Sequence, residues 1–240
     1  MLDHVILLLP VFLPVVFWAA YHMHADRHLP EPPGHLLLAF LLGVGSFYLG
    51  LLGYQALGLV GLRYDAYALA AYNLPGLLAY TVLAIGVIEE SAKLLPFLLV
   101  VLRFREFDEP IDGIIYASFI ALGFAAVENI RYLDFLTTGQ AFARGFAGPV
   151  LHIVFASIWG YYVGRAWLRG RGMAAAVLAA LAVSAAVHGV YNFVVIGLPA
   201  PGLPITACLI AGLWIWRLYL IRDLHAAYRD QPGCGRRTWR

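Results

Sequence analysis

The chain has 240 residues, of which 62% are hydrophobic and 12% are charged, and its mean hydropathy is +0.79. These values are typical of a protein that crosses a membrane several times, and they exclude an ordinary soluble domain. The net charge of +2 comes with no basic patch carrying interleaved aromatic residues, so nucleic acid is excluded as a partner. The partner that composition indicates is membrane lipid.

Seven apolar runs are long enough to cross about 30 Å of hydrocarbon as helices. Backbone polar groups find no water inside the bilayer, so such runs form helices and not open strands. We therefore predict an all-α polytopic membrane protein, a bundle of about seven transmembrane helices. The predicted spans are residues 4–23, 35–60, 73–102, 111–136, 146–168, 173–197 and 203–224.

Arginine placement predicts the orientation of this bundle. If the N-terminus lies outside, the outer loops hold only Arg63, Arg131 and Arg144, and the inner segments hold all the other arginines. The positive-inside rule then places the C-terminus in the cytoplasm. We expect a multi-pass protein of the cell inner membrane. The expected organisation is a single transmembrane domain over residues 1–224, with a catalytic core at about 73–197, and a polar cytoplasmic tail over 225–240.

The third predicted span contains three ionisable residues, Glu89, Glu90 and Lys93. Each costs about 2.5–3.5 kcal/mol at the centre of a membrane helix. The lysine lies three and four positions after the two glutamates, so it can pair with either one from the same helix face. A structural ion pair would explain one carboxylate and leave the other as surplus charge. The glutamates point about 100° apart, so one of them can face a cavity.

The next three spans each add polar groups at a similar depth. They are Glu128 in the fourth span, His152 in the fifth, and His188 with Asn192 in the sixth. Taken singly, the histidines are explained by helix packing and the His188–Asn192 pair, spaced i,i+4, by a polar clamp. All four fall in the middle to outer part of the bundle, which together predicts a polar site between the helices.

Four short motifs on successive spans resemble those of one known family. EESAK resembles the EExxK motif of the PrsW family of intramembrane proteases, and DGIIYASFIALGFAAVENIRY resembles its DG…GFAxxEN segment. His152 followed by small residues, and HGVYNF, resemble its two histidine motifs. The resemblance extends in matching order from Glu89 to Phe193.

This family is related to the CAAX prenyl endopeptidases, which share the patterns EExxR, FxxxH and HxxxN. The present chain keeps the glutamate pair and the HxxxN pattern. It has Lys93 in place of the arginine and Glu128 in place of the first histidine. These departures fit the PrsW branch and argue against a prenylated CAAX tail as substrate.

The resemblance implies an intramembrane endopeptidase that cleaves membrane-anchored proteins, such as single-span regulators, near the outer membrane face. The catalytic residues it implies are Glu89, Glu90, Lys93 and Asn192, and the metal ligands are Glu128, His152 and His188. One glutamate would activate water, Lys93 would orient a carboxylate, and Asn192 would donate to the oxyanion. Two imidazoles and a carboxylate match a catalytic zinc set. A metal-free mechanism, in which the histidines and Asn192 hold the oxyanion, stays open.

Two other classes of protein can bury the same residues. A proton- or ion-coupled transporter or channel also uses intramembrane Glu, Lys and His, but it should show repeated halves or interrupted helices in matching positions. The sequence shows neither pattern. A non-catalytic scaffold would use the polar cluster only to hold helices together, so conservative substitutions there would change stability and not activity.

Overall fold

A computed structural model describes residues 2–25, 27 and 30–229, and these residues contain helices and no strand. The helices are α1 (Leu2–Ala25), α2 (Pro33–Leu59), α3 (Ala66–Tyr72), α4 (Leu74–Tyr80), α5 (Val87–Leu99), α6 (Pro110–Tyr132), α7 (Thr138–Leu168), α8 (Met173–Gly197) and α9 (Pro199–Arg229). Residues 230–240, which form most of the predicted tail, lie outside the described residues.

Six of these helices are long and apolar enough to cross a membrane: α1, α2, α6, α7, α8 and α9. The third predicted span consists of α4, a π-helical segment (Thr81–Gly86) and α5, which follow one another without a break. The prediction of an all-α polytopic membrane protein is confirmed. The number seven is approximate, because the third span is built from three shorter pieces.

Helix α7 starts earlier than predicted and α3 is an additional helix, and both have side-chain N-caps. Helix α7 begins at Thr138, about two turns before the predicted 146. There the backbone N–H of Thr137 donates to the Gln140 side chain at 2.9 Å, and the N–H of Gln140 donates back to the Thr137 hydroxyl at 3.4 Å. The short helix α3 was not predicted, and its N-cap Asp65 accepts two backbone N–H groups.

Helix α6 lies at the centre of the bundle and is buried along most of its length. Its glycines allow neighbouring backbones to approach closely. A Cβ added at Gly113 would lie 2.2 Å from the carbonyl oxygen of Gly160 on α7. A Cβ added at Gly43 on α2 would lie 1.9 Å from the carbonyl oxygen of Ile120. Small residues therefore set the spacing of the three helices, as is common in membranes.

The π-helical segment makes an equally close contact with α8. A Cβ added at Gly86 would lie 2.2 Å from the carbonyl oxygen of Ala185, and one added at Gly189 would lie 2.4 Å from the Cα of Val82. Such π-helical turns add a residue to a helix turn and change its register. Since α5 starts directly after this segment, the contact fixes the first turn of α5 against α8.

Helix α9 packs at the edge of the bundle but contributes one fully buried cation. The side chain of Arg217 is 0% exposed. Its Nε donates to Ser157 Oγ at 2.9 Å, and its Nη2 donates to Ser118 Oγ at 3.0 Å. These two serines belong to α7 and α6, so the arginine joins α9 to the centre of the bundle.

Candidate active site

Glu90, in the first turn of α5, is fully buried and surrounded by donors. Its Oε1 lies 2.5 Å from Lys93 Nζ and 2.7 Å from His188 Nδ1. Its Oε2 accepts from Trp159 Nε1 at 3.0 Å and lies 3.1 Å from Ser184 Oγ, whose single proton is shared with the Phe155 carbonyl oxygen at 2.8 Å. These three N–H donors and the hydroxyl occupy the roughly four lone-pair positions of a carboxylate. Glu90 therefore anchors its neighbours and has no oxygen left to offer to another group.

The bond to Glu90 also determines the tautomer of His188. A carboxylate only accepts, so Nδ1 carries the proton and Nε2 of the neutral ring carries the lone pair. This Nε2 lies 3.7 Å from Glu89 Oε2. His188 thus presents a ligand atom or a proton acceptor toward the neighbouring glutamate.

Glu89 differs from Glu90 in having a free oxygen. Its Oε1 accepts a hydrogen bond from Tyr54 Oη at 2.9 Å. Its buried Oε2 has no hydrogen-bond partner among the described residues. A buried carboxylate oxygen without a donor is costly unless another group occupies that position at some stage.

His152 lies between a cation and an anion. Lys93 Nζ is 3.1 Å from His152 Nδ1, and Glu128 Oε2 is 3.0 Å from His152 Nε2. Because the ammonium donates to Nδ1, the proton of the neutral ring is on Nε2 and is donated to Glu128. Lys93 Nζ also lies 4.8 Å from the centroid of the Phe124 ring. The single lysine of the chain therefore connects Glu90 to His152.

A cavity of about 510 Å³ brings the predicted residues together. Five of them line it: Glu89, Glu128, His152, His188 and Asn192. Glu90 and Lys93 are completely buried behind its wall. The rim includes Tyr67 and Phe135, which are exposed, so the cavity reaches the protein surface beside α3.

Three of the cavity residues have the geometry of a metal site. Glu89, His152 and His188 each offer a ligand atom, and these atoms lie within 4.8 Å of one another. The predicted set contained Glu128 in place of Glu89. Among the described residues it is Glu89 that converges with the histidines, while Glu128 accepts a hydrogen bond from His152 and forms an ion pair with Arg144 Nη2 at 3.1 Å.

The donor chemistry of this trio fits zinc. Two imidazoles and one carboxylate are a common catalytic set with an open position. The unpartnered Oε2 of Glu89 and the lone pair on Nε2 of His188 are both available. His152 uses both ring nitrogens in hydrogen bonds, so it must exchange one of these bonds to become a ligand.

Sequence analysis did not identify Tyr54, Trp159, Ser184 or Arg144 as site residues. Helical spacing was the available signal for three of them. Ser184 precedes His188 by one turn on α8, and Trp159 follows His152 by about two turns on α7, so each shares a helix face with a predicted residue. Arg144 precedes His152 by about two turns on α7 and has the same kind of spacing, whereas Tyr54 lies on α2, which carries no predicted site residue.

The chain is similar to known proteins over most of its length. Residues 31–220 match the model of a family described as PrsW family intramembrane metalloprotease. Protease PrsW of Oceanobacillus iheyensis is 31% identical over 204 residues, covering 84% of this chain and 88% of the relative. Protease PrsW of Bacillus subtilis is 28% identical over 187 residues, covering 77% and 80%.

A third relative, Protease PrsW of Clostridioides difficile, is 27% identical over 194 residues, covering 78% of each chain. No solved structure matches this chain. The transporter alternative is not favoured, because these relatives are named as proteases and the match covers most of their length. The chain belongs to the PrsW family of intramembrane metalloproteases.

Proposed function

We propose that this intramembrane protease cleaves membrane-anchored proteins, such as single-span regulators, near the outer membrane face, with Glu89 as its essential carboxylate. The observation that carries the proposal is the asymmetry of the glutamate pair. Both oxygens of Glu90 are occupied by N–H donors and the Ser184 hydroxyl, whereas Glu89 offers an unpartnered oxygen beside His188 Nε2 in a cavity that reaches the surface.

Peptide hydrolysis needs an activated water, a stabilised oxyanion and a proton for the leaving amine. In the metal-free form of the proposal, Glu89 Oε2 takes a proton from water as the water oxygen bonds to the scissile carbonyl carbon. The carbonyl oxygen becomes an oxyanion, toward which the Asn192 amide donates from the cavity wall. The C–N bond then breaks, and Glu89 returns its proton to the leaving amine.

In the metal-dependent form, Glu89, His152 and His188 would hold a zinc ion. The ion would supply Lewis acidity and a bound water of lowered pKa. Glu89 would then be a ligand, and Glu128 would be the cavity carboxylate left to accept a proton. Glu89 is required in both forms, while the role of Glu128 differs between them.

Zinc analysis of purified variants tests the ligand set. We expect about one zinc per wild-type chain, and loss of the ion in Glu89→Gln and His188→Ala, because each removes one of only three protein ligands. Glu128→Gln should retain zinc if Glu89 is the carboxylate ligand, and lose it if the predicted set with Glu128 is right. Metal content is measured by plasma mass spectrometry on monodisperse protein.

The matched control is His35→Ala, which removes a histidine that pairs with Glu106 away from the cavity. It should retain zinc. Wild-type enzyme that is active, metal-free and indifferent to chelators would contradict the metal-dependent form and leave the metal-free one.

The position of the cut tests the orientation. We expect cleavage of a single-span substrate near its extracytoplasmic end, because the cavity is lined by the C-terminal end of α6 and mainly by the first half of α7, which are outer ends in the predicted orientation. Moving the scissile bond along the substrate span and mapping fragments by mass spectrometry gives the depth directly. Cuts on the cytoplasmic side would contradict the proposed orientation or depth.

Cysteine labelling distinguishes a wrong orientation from a wrong depth. In a background lacking Cys208 and Cys234, a cysteine at Gly139 should react with an impermeant maleimide in intact cells. An added Cβ there meets nothing within 4 Å, so the substitution is tolerated. A cysteine at Arg169, between α7 and α8, should react only after permeabilisation.

A further inference from the structure

Arg144 lies on α7 at the cavity wall, about two turns before His152. Its Nη2 is 3.1 Å from Glu128 Oε2, and its guanidinium carbon is 3.7 Å from the centroid of the Tyr132 ring. Glu128 and Tyr132 are one turn apart on α6. The planar guanidinium is therefore held by an ion pair on one side and by an aromatic face on the other.

Arg144 and His152 both contact the same oxygen of Glu128. Oε2 forms an ion pair with Arg144 Nη2 at 3.1 Å and accepts from His152 Nε2 at 3.0 Å. A carboxylate this deep in a membrane protein needs a cation, and a cation that is fixed also fixes the carboxylate. Without Arg144 the Glu128 side chain can rotate about its own bonds, and its hold on His152 becomes loose.

Further polar contacts connect His152 to the other residues of the site. Lys93 holds the other ring nitrogen at 3.1 Å and also contacts Glu90, which orients His188. The resulting chain of polar contacts crosses four helices in the order Arg144, Glu128, His152, Lys93, Glu90 and His188. Arg144 is its terminal member, at the cavity wall.

We propose that Arg144 is a positioning residue for proteolysis: it fixes Glu128 so that Glu128 holds the His152 imidazole at the cavity wall. This inference rests on the proposed function. Arg144 acts through Glu128 and does not bind the substrate, so its loss affects the chemical step and leaves substrate affinity nearly unchanged.

Steady-state kinetics of Arg144→Gln on a single-span substrate in detergent micelles tests this role. We expect kcat to fall about 10–100-fold, as for removal of a group that orients a site histidine. KM should change by less than about threefold, because uniform substrate binding is unaffected. Arg144→Lys should recover only part of kcat, since the charge remains but the planar fork is lost.

The matched control is Arg63→Gln, which removes an exposed arginine in the segment between α2 and α3. It should leave kcat and KM unchanged. Tyr132→Leu removes the ring beneath the guanidinium and should lower kcat less than Arg144→Gln does, again with KM unchanged. This variant keeps the proposal testable if Arg144→Gln does not fold.

A double-mutant cycle with Glu128→Asp distinguishes positioning from a general structural role. The shorter aspartate withdraws its carboxylate from both Arg144 and His152. Removing Arg144 in that background should therefore lower kcat by less than about threefold, which is strong non-additivity. Additive losses, or a raised KM with unchanged kcat, would overturn the proposal; the second result would make Arg144 a substrate contact.

Wild-type enzyme that cleaves no membrane-anchored substrate would instead refute the proposed function, and this inference with it.

Discussion

Replacing Glu89 by glutamine is expected to abolish cleavage of a single-span substrate, with a loss of about 10²–10⁴-fold in kcat. This is the range that a positioned proton acceptor contributes. The glutamine has the same shape, and its amide oxygen can still accept the hydrogen bond from Tyr54. We therefore expect the melting temperature in detergent to change little. Cleavage is measured in proteoliposomes with a fluorescent or tagged substrate.

Glu90→Gln is the matched control, because it makes the same chemical change one residue away. An amide presents one oxygen and one NH₂ to the four groups around Glu90, so at least one of the three N–H donors loses its acceptor. Breaking such a buried charged network costs about 3–5 kcal/mol. We expect lower activity together with a clearly lower melting temperature. If Glu90→Gln were inactive yet fully stable while Glu89→Gln retained activity, the two roles would have to be exchanged.

Gly189→Ala is expected to destabilise the protein strongly and to inactivate it. The added Cβ would lie 2.4 Å from the Cα of Val82 and 2.6 Å from the carbonyl oxygen of Thr81. Both are backbone atoms, which cannot rotate away as a side chain can. The helices must separate, so we expect a loss of about 3 kcal/mol, at the upper end for overpacking. His188, the preceding residue, would move with its helix.

The control for this prediction is Gly45→Ala. Gly45 lies inside α2, where an added Cβ meets nothing within 4 Å. The substitution should keep full activity and raise stability by up to about 1 kcal/mol through helix propensity. Thermal unfolding in detergent, followed by circular dichroism, measures both variants. A Gly189→Ala protein with normal stability and activity would contradict the close approach of α8 to the π-helical segment.

The energetic cost of charge in a membrane made much of the site predictable. Glu89, Glu90, Glu128, His152 and His188 all stood out because each is expensive in an apolar span, and all seven predicted site residues lie at or behind one cavity. Their individual roles are not determined by these distances and stay predictions. The helices could be predicted equally well, since backbone N–H and C=O groups in lipid must find hydrogen-bond partners within the protein.

The difference between Glu89 and Glu90 could not be predicted. Helix geometry separates the two directions by about 100°, but it does not say which direction faces a donor-rich wall. That depends on Trp159 and Ser184, which come from two other helices. The π-helical segment before α5 could not be predicted for a similar reason. Its register depends on the close contact with Gly189, and a π turn has no distinct residue pattern of its own.

The buried arginine of α9 also bears on how the protein is synthesised. An arginine at the centre of an isolated helix costs about 2.5–3.5 kcal/mol to insert. The oxygen atoms that accept from Arg217 belong to Ser118 and Ser157, which leave the ribosome long before α9 does. The last helix therefore enters a membrane in which its acceptors are already present. We therefore expect insertion of α9 by the translocon to depend on its packing against α6 and α7, which are already in the membrane.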